Sequence, residues 1–391
     1  MNQTWNQYVV KKENKALVLQ TVLEKAPISR ASIAQVTGLN KGTVSSLISE
    51  LITEHFIYES GTGESSGGRR PVMLLLNEKA GYTISVDLGV HSILAVLTDL
   101  RGQLIAEQRV EFENSEVEVV HKLLFECIDQ LKSQAPASSY GIVGIGIGVP
   151  GVVTNEGEIL LAPNLGWKQV PLKQQLLERY QVPVIVENEA NAGAYGERVY
   201  GAGRLSNEIV YISASIGIGV GLILASKLYK GLRGFSGELG HMTIEKDGLI
   251  CRCGNQGCWE LYASQQALLN KAEALGYVHP TIEQLIADAD RGDANVLSLF
   301  EEIGDYLGVG ITNIIHIFNP EQVIIGNILQ KAEKYIFPAI QKRIEQNAIG
   351  FNKDDVHINS AQLTKHSTVL GMAAFTIEKF FETTGDQVVT S

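Results

Sequence analysis

In "ALVLQTVLEKA", residues 16–26, Leu19, Val22, Leu23 and Ala26 fall at i, i+3, i+4 and i+7. That spacing predicts one apolar face of a helix, which Pro27 follows and ends. Ser29 can cap a second short helix, "RASIAQVT", closed by Gly38. Asn40 can cap a third, in which Val44, Leu47, Ile48 and Leu51 repeat the spacing and turn inward. Lys41, Thr43, Ser45 and Ser46 are left outside, near the start of that helix. "HFIYES", "GTGESSGG" and "RRPVMLLLN" then read as two short strands around a flexible loop, a wing with Arg69 and Arg70 at its base.

From "GYTISVDLG" onward the period changes to that of strands. "YTISVDLG", "SILAVLTDL" and "GQLIAEQRVEF" are three strands separated by tight turns, followed by a helical stretch and the buried, glycine-rich "GIVGIGIGVPG". "VPVIVEN" repeats the theme, and "EIVYISASIGIGVGLILA" starts it again. Two similar α/β halves predict two lobes with a cleft between them. Ligands of open α/β sheets bind beyond the carboxyl ends of the strands, where Asp87, Gly151, Asn188, Glu189 and Gly217 fall.

Composition narrows the function classes. The 391 residues are 45% hydrophobic and 19% charged, ordinary for a globular protein able to bury a large core. No apolar run approaches the ~20 residues of a membrane span, and the first residues lack a signal-peptide pattern. A cytoplasmic protein without membrane partners is expected. Residues 1–80 hold nine Lys/Arg against seven Asp/Glu, net +2, so the rest of the chain's −11 carries −13. The division predicted is a DNA-binding unit over 1–80 and a two-lobed body over 81–391. Short hydroxyls and a lysine at the start of a helix suit base edges and phosphates, and paired wing arginines suit phosphates or a minor groove. The competing reading is a three-helix bundle whose polar face is merely solvated. Helix, turn, helix and arginine wing in this order favour DNA.

Four cysteines do not make a disulfide framework. Cys127 lies alone in a helical pattern, where it reads as a small buried side chain. "GELGHMTIEKDGLICRCGNQGCWE" instead sets His241 ahead of Cys251, Cys253 and Cys258. Three thiolates and an imidazole suit tetrahedral, structural Zn2+; a redox pair is the alternative, without the Cys-x-x-Cys spacing. The same loop carries Glu238 and Glu260. With Asn188 and Glu189 from "ENEANAGAYGE", they supply acceptors and donors for a polyhydroxyl ligand such as an aldose.

The winged helix, "VDLG", "GIGVPG", "APNLGW", "ENEAN", "SGELGH", "CRCGNQGCWE" and "NPEQVIIG", in this order, resemble the ROK family of repressors, open reading frames and sugar kinases over nearly the whole chain. "LNKGTVSSLISEL", "SSGGRRPVM" and "VENEANAGAYGE" are similar to the family's xylose-responsive regulators. The resemblance implies a winged helix-turn-helix followed by an actin-like, hexokinase-like α/β body. It implies a sugar site of Asn188, Glu189, Glu238, His241 and Glu260, with Gly151 and Asn164 as further candidates. It also implies operator DNA and xylose or a related aldose as partners, in a homodimer or tetramer. The family's kinases carry Asp where Glu189 stands, and an Asp-x-Gly-Gly-Thr-Lys phosphate loop where this chain has Asp87-Leu88-Gly89-Val90-His91-Ser92. Ser215-Ile216-Gly217 replaces their Gly-Thr-Gly, and Asn327 and Ile328 stand where glycines would admit adenosine. No ATP and no catalytic residue are therefore expected. The alternatives are a sugar kinase bearing a DNA head, or a repressor answering glucose or an amino sugar.

Overall fold

A computed structural model describes residues 7–62, 71–350 and 356–384. Arg69 and Arg70, predicted to contact DNA, lie outside the described residues. The chain begins with helix α1 (Gln7–Lys25), strand β1 (Ile28–Ser29), α2 (Arg30–Thr37), α3 (Lys41–Thr53), β2 (Ile57–Thr62) and β3 (Val72–Leu76). The caps fall where the sequence places them. Ser29 Oγ accepts from the Ser32 N–H, Gly38 closes α2 at φ 73°, and Asn40 Oδ1 accepts from the Thr43 N–H at 2.8 Å. Val44, Leu47, Ile48 and Leu51 are buried, each worth about 1.5–3 kcal/mol against exposure. Strands β1, β3 and β2 form a small antiparallel sheet, the wing. Helix α1 starts well before its apolar face, and there Lys11 and Lys15 pair with Glu50 of α3 and with Glu54 just beyond it, at 2.8 and 2.6 Å.

The first lobe is built from β4 (Tyr82–Leu88), β5 (Ser92–Asp99), β6 (Leu104–Glu111), α4 (Val117–Gln134) and β7 (Ile142–Val149). It continues through β8 (Val152–Val153), β9 (Ile159–Ala162), β10 (Trp167–Val170), α5 (Leu172–Tyr180) and β11 (Val184–Asn188). Its main sheet runs β11-β7-β4-β5-β6, parallel from β11 to β4 and antiparallel beyond. Helix α6 (Glu189–Tyr200) leads to the second lobe: β12 (Ile209–Ala214), β13 (Ile218–Leu224), β14 (Lys227–Leu228), α7 (Glu260–Ala263), α8 (Gln265–Ala274) and α9 (Ile282–Asp290). Then come α10 (Ala294–Phe318), β15 (Gln322–Gly326), α11 (Glu333–Asn347) and β16 (His357–Ser360). Here the order is β14-β13-β12-β15-β16, the same pattern of antiparallel and parallel neighbours. The two halves thus repeat one topology. Cys127 is buried in α4, as its pattern predicts.

Helix α12 (Ser367–Thr384, the last described) returns to pack against α6, β7 and β4. Each lobe has its own large apolar core. A third core joins Val22, Leu47, Phe56 and Leu74 of the amino-terminal unit to Leu100 and Val143 of the first lobe and Ile377 and Phe380 of α12. Among the described residues no helix is long and apolar enough to cross a membrane.

Candidate sugar cleft, metal knuckle and nucleic-acid face

Asn188 ends β11 and caps α6. Its Oδ1 accepts from the N–H groups of Ala190 and Asn191 at 2.8 and 3.1 Å, and its Nδ2 donates to the Gly151 carbonyl at 3.0 Å. One amide proton is left for a ligand, and Gly151 enters the constellation through its carbonyl. Behind them Glu187 is buried. It accepts from the Asn188 N–H and from Asn191 Nδ2, and it pairs with Lys230 at 2.7 Å. The polar character of "ENEAN" therefore serves two ends: Glu187 and Asn188 shape the strand-to-helix corner, and the next residue faces the cleft.

That residue is Glu189. Its Oε2 is buried and has no hydrogen-bond partner, while Oε1 lies 3.0 Å from where a Cβ on Gly219 would sit. Burial, together with the nearby Asp87 and Glu238 charges, pushes its carboxyl up to about 8. Asp87, at the end of β4, is pushed up to about 7 by burial, against the pull of Arg109. Glu260 Oε2 and Asn164 Nδ2 both approach Gly217, at 2.7 and 3.9 Å from a Cβ built there, so a larger residue at 217 would displace the Glu260 carboxylate. Glu238 precedes the turn Leu239–His241. Burial raises its carboxyl, His241 draws it back and Glu260 pushes it up again. The structure thus gathers Asn164, Glu189, Glu238 and Glu260 around the mouths of β11 and β13, with Asp87, which the strand-end rule also names, beside Glu189. The sequence signal for Asp87 is an acidic residue at the carboxyl end of an otherwise buried strand.

Glu260 joins this cleft to the cysteine loop. Its Oε1 lies 3.4 Å from His241 Nδ1 and accepts from Cys251 Sγ at 3.2 Å. The neighbouring Trp259 is fully buried, donates from Nε1 to the Tyr306 carbonyl at 2.8 Å and packs on Gly310 of α10. A large ring fixed to a long helix therefore positions the carboxylate that follows it. The ligand atoms of His241, Cys251, Cys253 and Cys258 all lie within 4.8 Å of one another. The His241 Nδ1–Cys251 Sγ and Cys253–Cys258 separations are both 3.7 Å. A tetrahedron with Zn–S bonds of ~2.3 Å has edges of about 3.75 Å. The residues present fit a metal.

A groove of about 700 Å³ opens between the lobes, lined by His91, Ser92, Arg109 and Glu111 on one side and Gln265 and Glu283 on the other. None of the cleft carboxylates lines it. In the amino-terminal unit, Lys41, Ser45 and Ser46 are exposed along one side of α3 and Thr43 is half-buried, opposite the four buried apolar residues. Their side chains project from the outer face of the second helix of a helix-turn-helix pair, the arrangement that fits a major groove.

A sequence model of the ROK family matches residues 83–379. The xylose repressor of Bacillus subtilis (strain 168) is 42% identical over 381 residues, which cover 96% of this chain and 98% of that protein. The crystal structure of a ROK family transcriptional regulator, a homolog of the E. coli MLC protein, superposes with a TM-score of 0.83 at 28% identity, over 95% of this chain and 97% of that one. A ROK family glucokinase from Streptomyces griseus, in complex with glucose and AMPPNP, gives a TM-score of 0.68 at 29% identity, covering 75% of this chain and 99% of that one.

Proposed function

The chain belongs to the ROK family, and from that premise we propose that it is a xylose-responsive transcriptional repressor. The observation that carries this reading is that the likeness to the B. subtilis xylose repressor runs through the DNA-binding unit as well as the body. Likeness to the glucokinase is limited to 75% of the chain. In this reading residues 1–80 bind DNA, with Lys41, Thr43, Ser45 and Ser46 at the major groove and Arg69 and Arg70 on the backbone or minor groove. Residues 81–391 bind sugar and form a homodimer, or a dimer of dimers, in the cytoplasm. Two-fold symmetry then calls for a pseudo-palindromic operator.

The sugar lies against Glu189, Glu238, Glu260, Asn164 and the remaining Asn188 proton, with His241 at the rim and the Gly151 carbonyl behind. The unpartnered Glu189 Oε2 supports a hydroxyl ligand at this point. Several close carboxylates with one imidazole favour a neutral polyol over a phosphorylated sugar, whose charge they would repel. His241, Cys251, Cys253 and Cys258 would hold zinc, which supplies a fixed cross-link to the loop. The chain's own contribution there is to hold Glu260 in place.

We read phosphoryl transfer as lost. Asn327 sits at φ 66° with its Nδ2 donating to Ser213 Oγ at 2.8 Å, so it is occupied by the lobe's own sheet. Phosphoryl transfer rests on positioning groups around the phosphates, and the loops at 87–92, 215–217 and 326–328 lack those groups. Calorimetric titration of the zinc-loaded protein with xylose and glucose, with and without a promoter fragment from a xylose-utilisation operon, tests the proposal. Xylose binding that DNA weakens is the expected result. Silence toward xylose with binding of glucose would overturn the inducer, and ATP-dependent turnover of an aldose would overturn the repressor.

A further inference from the structure

We propose that Phe56, Tyr140 and Phe380 are positioning residues that weld the DNA-binding unit to the first lobe and to α12, so that rotation between the lobes is delivered to the operator. The proposal rests on the repressor reading above. Phe56, just beyond α3, stacks on Tyr140 of the first lobe with centroids 5.1 Å apart and planes 17° from parallel. It also meets Phe380 and Phe381 of α12, at 5.8 and 5.9 Å, and Tyr140 meets Phe380 edge-on at 5.2 Å. Tyr140 Oη donates to the carbonyl of Glu54, the residue that closes the recognition helix, at 2.7 Å. Backbone bonds from Leu100 to Glu78 and from Tyr140 to Ala80, at 2.9 and 2.8 Å, fasten the same junction. This is a shared core, with the stiffness of close packing, where a flexible linker would have left the two units free of one another.

The other end of α12 reaches the cleft. Thr368 Oγ1 donates to the backbone carbonyl of Glu189 at 3.3 Å. A helix of 18 residues spans about 27 Å, so one rigid element touches both the sugar corner and the aromatic clasp. Its crossing with α6 is too tight to slip. A Cβ on Gly371 would lie 1.8 Å from the Ala192 carbonyl, and one on Gly196 would lie 2.1 Å from the Ser367 carbonyl. Glu197, fully buried, accepts from Leu363 N–H, Gln362 N–H and Ser367 Oγ, and so locks the entry to α12 onto α6. Ligand at Glu189 therefore acts on a strut whose far end is part of the head's own core.

The quantity that tests the weld is the coupling factor, the ratio of xylose affinities measured without and with operator DNA. It reports communication independently of either affinity. Full-length wild type, Phe380→Ala and Tyr140→Phe are compared by calorimetry. Phe380→Ala is expected to bring the factor close to one, leaving xylose affinity of the free protein and operator affinity of the sugar-free protein within about threefold of wild type. Tyr140→Phe keeps the ring and loses one hydrogen bond, and should lower the factor by about fivefold. If Phe380→Ala does not fold, Tyr140→Phe decides. A folded variant with the wild-type factor, or one whose xylose affinity falls in the absence of DNA, overturns the weld. A wild-type protein whose xylose affinity ignores DNA overturns the repressor reading first and the weld with it.

Discussion

The outer face of α3 and the floor of the cleft are both polar, but they are built in opposite ways. On α3 Lys41, Ser45 and Ser46 stand in solvent while the helix meets its structural needs from the other side, through four buried apolar residues. In the cleft, Asp87 and Glu189 are half-buried with raised carboxyls, and the buried Oε2 of Glu189 has no hydrogen-bond partner. A surface of the first kind binds by many small, salt-sensitive increments and costs the fold little. One of the second kind destabilises the empty protein and returns the cost when a ligand supplies the missing bonds. The difference teaches where single substitutions act strongly.

If zinc is held by His241, Cys251, Cys253 and Cys258 as proposed, removing it would break the comparison most severely, because it would take away a cross-link beside Glu260. Chelation, or Cys258→Ser, is expected to lower stability by several kcal/mol, on the order seen when structural zinc is lost, and to abolish xylose binding along with it. Thermal unfolding with and without chelator measures this; unchanged unfolding would remove the metal from the account. Glu238→Gln comes next. It should weaken xylose about 10- to 100-fold, the worth of a charged hydrogen bond, and leave operator affinity alone. A variant released at the wild-type sugar concentration would show that Glu238 lies outside the cup.

The third effect is a pH dependence peculiar to the cleft. Asp87 and Glu189 titrate near 7 and 8 in the fold, against ordinary values of 3.8 and 4.5. Across that window the folded protein holds more protons than the unfolded chain. Stability of the sugar-free protein should therefore fall as pH rises from about 4 to about 8, and Glu189→Gln should flatten the fall. Urea unfolding over a pH series reads this directly, and a wild-type profile already flat there would mean the pair is solvated. The smallest effect belongs to the proposed DNA contacts. Arg69→Ala with Arg70→Ala should make the slope of log K against log salt shallower by about 0.9 per lost phosphate contact, with little change in operator preference. An unchanged slope would leave the wing without a role on DNA.

The helix-turn-helix is legible in the sequence almost residue by residue, because its signals are local: Ser29, Gly38 and Asn40 cap the helices that the apolar spacing predicts. The two-lobed body is legible in outline, and the repeated strand order agrees with the restart of the pattern at "EIVYISASIGIGVGLILA". The cysteine cluster is legible from residue type alone. Other features are set by tertiary packing. Asn188 is read from sequence as a ligand residue, and most of its amide is spent on capping α6 and holding Gly151, a use its place between strand and helix could have signalled. Asp87 is placed by its sequence at a ligand-binding strand end, but its nearness to Glu189 follows only from laying β4 beside β7 and β11. Phe56 against Tyr140 and Phe380 has no signature in any local window, since each aromatic residue alone reads as ordinary core.

That last contact bears on how the protein is made. The partners Phe56 and Phe380 lie more than three hundred positions apart. At roughly 5–20 residues per second, a ribosome needs tens of seconds after releasing the recognition helix before it releases the ring that completes that helix's surroundings. During translation the nascent head lacks Val143, then Ile377 and Phe380, from its core. A chain still being synthesised thus carries a head whose core is incomplete, and the unit reaches its full packing only once Phe380 has left the ribosome.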